Sequence, residues 1–90
     1  MFSKKDVLQN LPRKGFETDK TGHHIYLKHL RNGRLTGAYT FVSHGPNELL
    51  GHGIVRSMKR QLRLGNSKDV HDLIECPMSK SQYNKILEGL

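Results

Sequence analysis

His23-His24-Ile25-Tyr26-Leu27-Lys28-His29-Leu30, Arg31-Asn32-Gly33-Arg34 and Leu35-Thr36-Gly37-Ala38-Tyr39-Thr40-Phe41-Val42 follow one another and read as a β-hairpin. Ile25 and Leu27 alternate with His24, Tyr26 and Lys28, the period-two pattern of a strand with one buried face. Asn32-Gly33 marks the turn, because a tight hairpin turn of the favoured hand needs positive φ at both central residues. The run from about Leu35 to Val42 returns the chain with Thr, Tyr, Phe and Val, which suit a pleated surface. Gly37 inside it marks a bulge or a close approach of backbone. Ile25 and Leu27 are then expected to face the core, with His23 partly buried on their side. His24, Tyr26 and Lys28 share the opposite face.

Toward the N-terminus, Ser3-Lys4-Lys5-Asp6 resembles a capping box with Asp in place of Glu or Gln. Val7, Leu8 and Leu11 supply a short helical stripe that Pro12 ends, since a proline pushes the residue before it out of the α region. Gly15-Phe16 leads into a brief first strand. Beyond the hairpin, Ser43 to Gly53 reads as a loop holding Gly45, Pro46 and Gly51, followed by a helix from about Gly53 to Leu64 that Gly65-Asn66 ends. Ser67 is placed to cap another helix, with Asp69 in its first turn, running to Glu75 and stopped by Cys76-Pro77. Ser79-Lys80-Ser81-Gln82 is a full capping box opening a last helix through Tyr83, Ile86 and Leu87. The expected fold is α+β, in the order αβββα with a short helical C-terminal tail and a three-stranded antiparallel sheet packed on helices. All 90 residues form one expected domain, 1–90, with no internal repeat, low-complexity tract or long linker.

Fifteen Lys and Arg against eight Asp and Glu give a net charge of +7 and a pI near 9.9. A pI above about 9 in so small a domain is the usual electrostatic footprint of nucleic-acid binding, with solubility alone as the competing explanation. No run approaches the ~18 apolar residues of a membrane span and no signal-peptide pattern opens the chain, so a membrane partner is not expected. The single Cys76 leaves no internal disulfide framework and fits a reducing cytoplasm.

Arg56, Lys59, Arg60 and Arg63 fall at i, i+3, i+4 and i+7 of the central helix, with Val55, Met58 and Leu62 on the opposite, core side. No acid interrupts the four cations, and neighbouring like charges on a helix repel by some tenths of a kcal/mol per pair. A phosphate backbone would relieve that repulsion, and solvation is the competing explanation. Among six histidines, His24 is the candidate acid–base group, because imidazole exchanges protons near neutral pH and a strand holds it steadily. Lys28 on the same face could hold phosphate, and Tyr26 could stack on a base. His23 and His24 point to opposite faces of a strand. With no H-x-x-x-H spacing and one Cys, no metal site and no cofactor are expected. Cys76 before Pro77 reads as a small packing residue.

An ordered set of residues carries a family resemblance: Lys14-Gly15-Phe16, Gly22-His23-His24-Ile25-Tyr26, Thr40, Ser43-His44-Gly45, Ile54 to Leu64 with Met58-Lys59-Arg60-Gln61-Leu62, and Asp72-Leu73 through Cys76-Pro77-Met78-Ser79. This set resembles the HicA family of toxins from type II toxin–antitoxin systems. The resemblance implies a fold similar to double-stranded-RNA-binding domains, and a metal-independent mRNA interferase, that is, an endoribonuclease. It also implies a HicB-like antitoxin that covers the active site. The family's catalytic histidine follows a Gly-Ser-x pattern before the apolar strand and maps to His24. Here the glycine stands one place later, in Thr21-Gly22-His23-His24, which keeps His23 as a rival. The expected mechanism has His24 assist attack of a ribose 2′-OH on the adjacent phosphodiester, while Lys28, Arg56, Lys59, Arg60 and Arg63 hold phosphates. A non-catalytic RNA-binding module using the same basic surface is the alternative, and a module for an acidic protein is the third reading.

Overall fold

Ser3 opens the first helix, α1 (Lys4–Asn10), with a complete capping box in the computed structural model of the chain, which describes residues 2–75 and 77–89. The Ser3 hydroxyl accepts from the Asp6 N–H at 3.3 Å, and the Asp6 carboxylate accepts from the Ser3 N–H at 2.8 Å. Aspartate therefore does the work usually given to Glu or Gln. A single 3₁₀ turn, Leu11–Lys14, carries Pro12 near its start, where a missing N–H leaves no helical bond unmade. Cys76, expected to pack as a small apolar residue, lies outside the described residues.

Three antiparallel strands follow in the order β1 (Phe16–Asp19), β2 (His24–Arg31) and β3 (Arg34–Ser43). Asn32 and Gly33 take φ of 53° and 77°, as the hairpin turn demands. Arg31 pairs with Arg34 and Leu30 with Leu35, then the register shifts so that Lys28 faces Tyr39 and Tyr26 faces Phe41. Gly37, at φ 93°, lies in that irregularity. The buried face carries Phe16, Ile25, Leu27, His29, Ala38, Thr40 and Val42, so the helices cover one side of the sheet.

His23 departs from expectation: it precedes β2 and is exposed. The Asp19 carboxylate accepts both the Thr21 N–H, at 2.9 Å, and the Thr21 hydroxyl, at 2.6 Å. That Asx-type turn delays entry into the ladder until His24. His29, not His23, is the histidine of the core.

Three helices complete the chain: α2 (His52–Gln61), α3 (Ser67–Glu75) and α4 (Lys80–Glu88). α2 ends before the expected Leu64. Leu62 and Leu64 are both buried, yet they would lie about 200° apart on a continuing helix, so the chain must unwind between them. The Leu64 N–H reaches the Lys59 carbonyl at 2.9 Å and the Arg63 N–H the Arg60 carbonyl at 3.2 Å. This is a Schellman closure with Arg63, at φ 58°, in the place glycine usually takes. The cap of α3 is also corrected: Asn66, not Ser67, accepts from the Asp69 N–H at 2.8 Å. The Ser79–Gln82 box stands as expected, with bonds of 3.1 and 2.8 Å.

The core joins both ends of the chain. Phe2 is fully buried, and its segment pairs with the loop before α2 through Lys4 N–H to Glu48 carbonyl at 3.0 Å and Leu50 N–H to Phe2 carbonyl at 2.9 Å. Val55, Met58, Val70, Leu73, Ile74 and Tyr83 fill the middle. The Tyr83 hydroxyl donates to the Leu62 carbonyl at 2.8 Å, satisfying one of the carbonyls that the end of α2 leaves open. The buried Lys14 ammonium donates to the Leu73 carbonyl at 2.9 Å and to that of Met78.

Candidate functional site

The strand alternation that buries Ile25 and Leu27 turns His24, Tyr26 and Lys28 outward on β2, beside Tyr39 and Phe41 on β3. Their rings form one cluster. His24 lies 4.7 Å from Phe41, Tyr26 is 5.4 Å from Phe41, and Tyr26 is 6.5 Å from Tyr39, centroid to centroid. These are ordinary spacings for offset aromatic pairs. Sequence reasoning missed Tyr39 and Phe41 as members of the site, although both share the outward parity of β3.

His24 is half-buried, and its Nδ1 is shielded from solvent without a hydrogen-bond partner. No described side chain fixes its tautomer in the manner of a carboxylate behind a catalytic imidazole. A concavity of about 170 Å³ opens beside it, lined among others by Phe41, Ser43, Leu50 and Ile54. Lys28 is two strand repeats away, roughly 13 Å along β2. Its ammonium pairs with the Asp19 carboxylate at 3.0 Å. Asp19 is held well below the usual carboxylate range by the two Thr21 hydrogen bonds and then by Lys28. Lys28 therefore reaches a phosphate only by sharing its charge with Asp19.

The four cations do not form the single stripe expected. Arg63 leaves the helix at the Schellman turn, and its guanidinium lies on β3, with Nη2 2.8 Å from where a Cβ on Gly37 would stand. Arg60 and Arg63, with Ser57 and Gln61, form one wall of a groove of about 410 Å³ whose other wall is Gly37 and Tyr39. Gln61 is held by the Thr40 hydroxyl, which donates to its Oε1 at 2.8 Å. Lys59, two residues before Gln61, projects from the far flank of α2 and is half-buried. Arg56 is exposed and lies outside the groove lining. A second concavity of about 270 Å³ on the sheet face shares Gly37 and Tyr39 with the groove and extends to Tyr26, Lys28 and Leu35. Ring cluster and groove thus meet at Tyr39.

The remaining histidines are dispersed. His29 is fully buried, 5.0 Å from both the Phe16 and Tyr83 rings, with Nδ1 3.0 Å from the Thr36 hydroxyl. Burial pushes its pKa below the ordinary value, so it stands neutral in the core. His71 lies 3.5 Å from the Glu75 carboxylate, and its ring meets Phe2 edge-on at 5.0 Å. Among the described residues no three His, Cys, Asp or Glu side chains gather as a metal-holding group. No described helix is long and apolar enough to cross a membrane. Set against known proteins, the chain matches no family model, no curated protein and no solved structure.

Proposed function

We propose that this protein is an RNA-cleaving toxin of the HicA type, acting in the cytoplasm on mRNA, with a fold of the double-stranded-RNA-binding-domain kind. The observation that carries the reading is the open sheet face, where an imidazole stands within a cluster of aromatic rings that runs into two arginines. Base stacking on such rings is worth about 1–3 kcal/mol per base, and guanidinium is the preferred partner of phosphate. His24 takes the proton from a ribose 2′-OH as that oxygen bonds to phosphorus. The bond from phosphorus to the 5′ oxygen breaks, and that oxygen takes a proton from the imidazolium or from water. The inhibitory partner is a HicB-like antitoxin, whose acidic surface would cover His24 and Tyr26.

One observation favours a second reading, a non-catalytic RNA-binding module: nothing among the described residues orients the His24 ring through Nδ1. Incubating purified protein with RNA in EDTA separates the two. The expected outcome is cleavage by the wild type and a loss of about 10²–10⁴-fold in His24→Ala, with both proteins binding RNA. Equal cleavage by the two would remove His24 from the chemistry. Binding without cleavage by either would leave the module.

A further inference from the structure

We infer that the groove between Gly37–Tyr39 and Arg60–Arg63 is a phosphate subsite that anchors single-stranded RNA one nucleotide step beyond the ring cluster; the inference rests on the RNA reading above. Three observations support it. First, the groove lining is polar and cationic, with Arg60, Arg63, Ser57 and Gln61, and contains no acid. Neither arginine makes an ion pair with a carboxylate among the described residues, so both guanidiniums have hydrogen-bonding capacity to spare.

Second, the backbone is arranged around Arg63. It occupies the left-handed region at φ 58°, where an L side chain meets its own carbonyl, and where glycine closes a helix without that strain. Gly37 across the groove, at φ 93°, leaves the room the guanidinium occupies, since a Cβ there would stand 2.8 Å from Nη2. Two unusual conformations thus meet at one side chain. Strain kept in this way is a mark of a working position, because a purely structural helix end is better served by glycine.

Third, Tyr39 belongs both to the groove and to the sheet-face concavity that reaches Tyr26. A base lying on Tyr39 has its phosphate beside Arg63, while the neighbouring nucleotides continue over Tyr26 and Phe41 toward His24. A purely acidic peptide such as polyglutamate could satisfy the guanidiniums but has no planar group to stack on the adjoining rings. RNA uses both.

The test is the affinity of a short 2′-O-methyl oligouridylate, which lacks the nucleophilic hydroxyl and survives incubation. Arg63→Gly and Arg60→Gln are each expected to weaken binding about tenfold, and to reduce the slope of log K against log salt by about 0.7 for each phosphate no longer neutralised. Lys85→Gln, which removes an exposed charge elsewhere, is expected to leave both unchanged. Arg63→Gly should also melt a few degrees higher than the wild type, since glycine accepts the turn without strain. Tight binding by the wild type with undiminished binding by Arg63→Gly and Arg60→Gln overturns the subsite alone. An equal loss in Lys85→Gln, a lower melting temperature for Arg63→Gly, or displacement of the oligonucleotide by polyglutamate as effectively as by RNA also overturns it. A wild type that does not bind the oligonucleotide overturns the RNA reading and the subsite together.

Discussion

At the scale of single residues, His29 shows how position alters chemistry. Its imidazole is packed between Phe16 and Tyr83, and its pKa is lowered first by desolvation, then by the charges of Lys80 and Arg31, partly offset by the neighbouring Asn84 side chain. The folded protein therefore binds fewer protons at this site than the unfolded chain, whose histidines titrate near 6.5. Stability from this residue is complete above about pH 6.5 and is lost progressively as pH falls through the folded-state value. Melting temperature should accordingly fall from about pH 7.5 to about pH 5, and His29→Leu should flatten that fall whatever its own starting stability. An unaltered pH slope in the variant would assign the titration elsewhere. The parity that buries Ile25 and Leu27 also reaches position 29, a signal for a core histidine that the expectation for His23 left unused. The same parity misplaced His23, because a side-chain turn at Asp19 and Thr21 starts the strand one residue later.

Among the elements, the hairpin was legible because its turn chemistry and its alternation agree. Residue numbers of paired positions sum to 65 beside the turn and to 67 beyond the irregularity, as in Leu30 with Leu35 and Lys28 with Tyr39. A shift of two leaves every side chain on its own face, so the outward placement of His24, Tyr26 and Lys28 survived a bulge that the sequence only hinted at. The end of α2 was not legible. Gly65 offered a plausible stop, whereas the actual end is set by the competing burial of Leu62 and Leu64, and that placed Arg63 in the groove. α4 depends on its Ser79–Gln82 box and in turn carries Tyr83, whose hydroxyl bonds the end of α2. Ser79→Ala should therefore cost about 1 kcal/mol, read as a drop of about 4–8 °C in melting temperature for a domain of this size. No drop would mean that packing of Tyr83 alone fixes the helix.

For the molecule as a whole, the +7 charge and the order of elements could be read directly, but the closure of the N-terminus could not, because nothing local in Phe2 or Leu50 marks them as neighbours. Both are essentially fully buried and joined through backbone. Phe2→Ala should cost about 3–5 kcal/mol in urea-induced unfolding, as a large cavity in a small core does, and a loss below about 1 kcal/mol would show that the segment is not part of that core. The same closure orders events in time. During synthesis at roughly 5–20 residues per second, Phe2 is made several seconds before Leu50 exists to receive it. The hairpin of β2 and β3 needs only its own local turn and closes in about 1–10 μs once available. A nascent chain can thus assemble the rings of the open face while its first helix is still undocked, before Arg60 and Arg63, whose guanidiniums will border those rings, have left the ribosome.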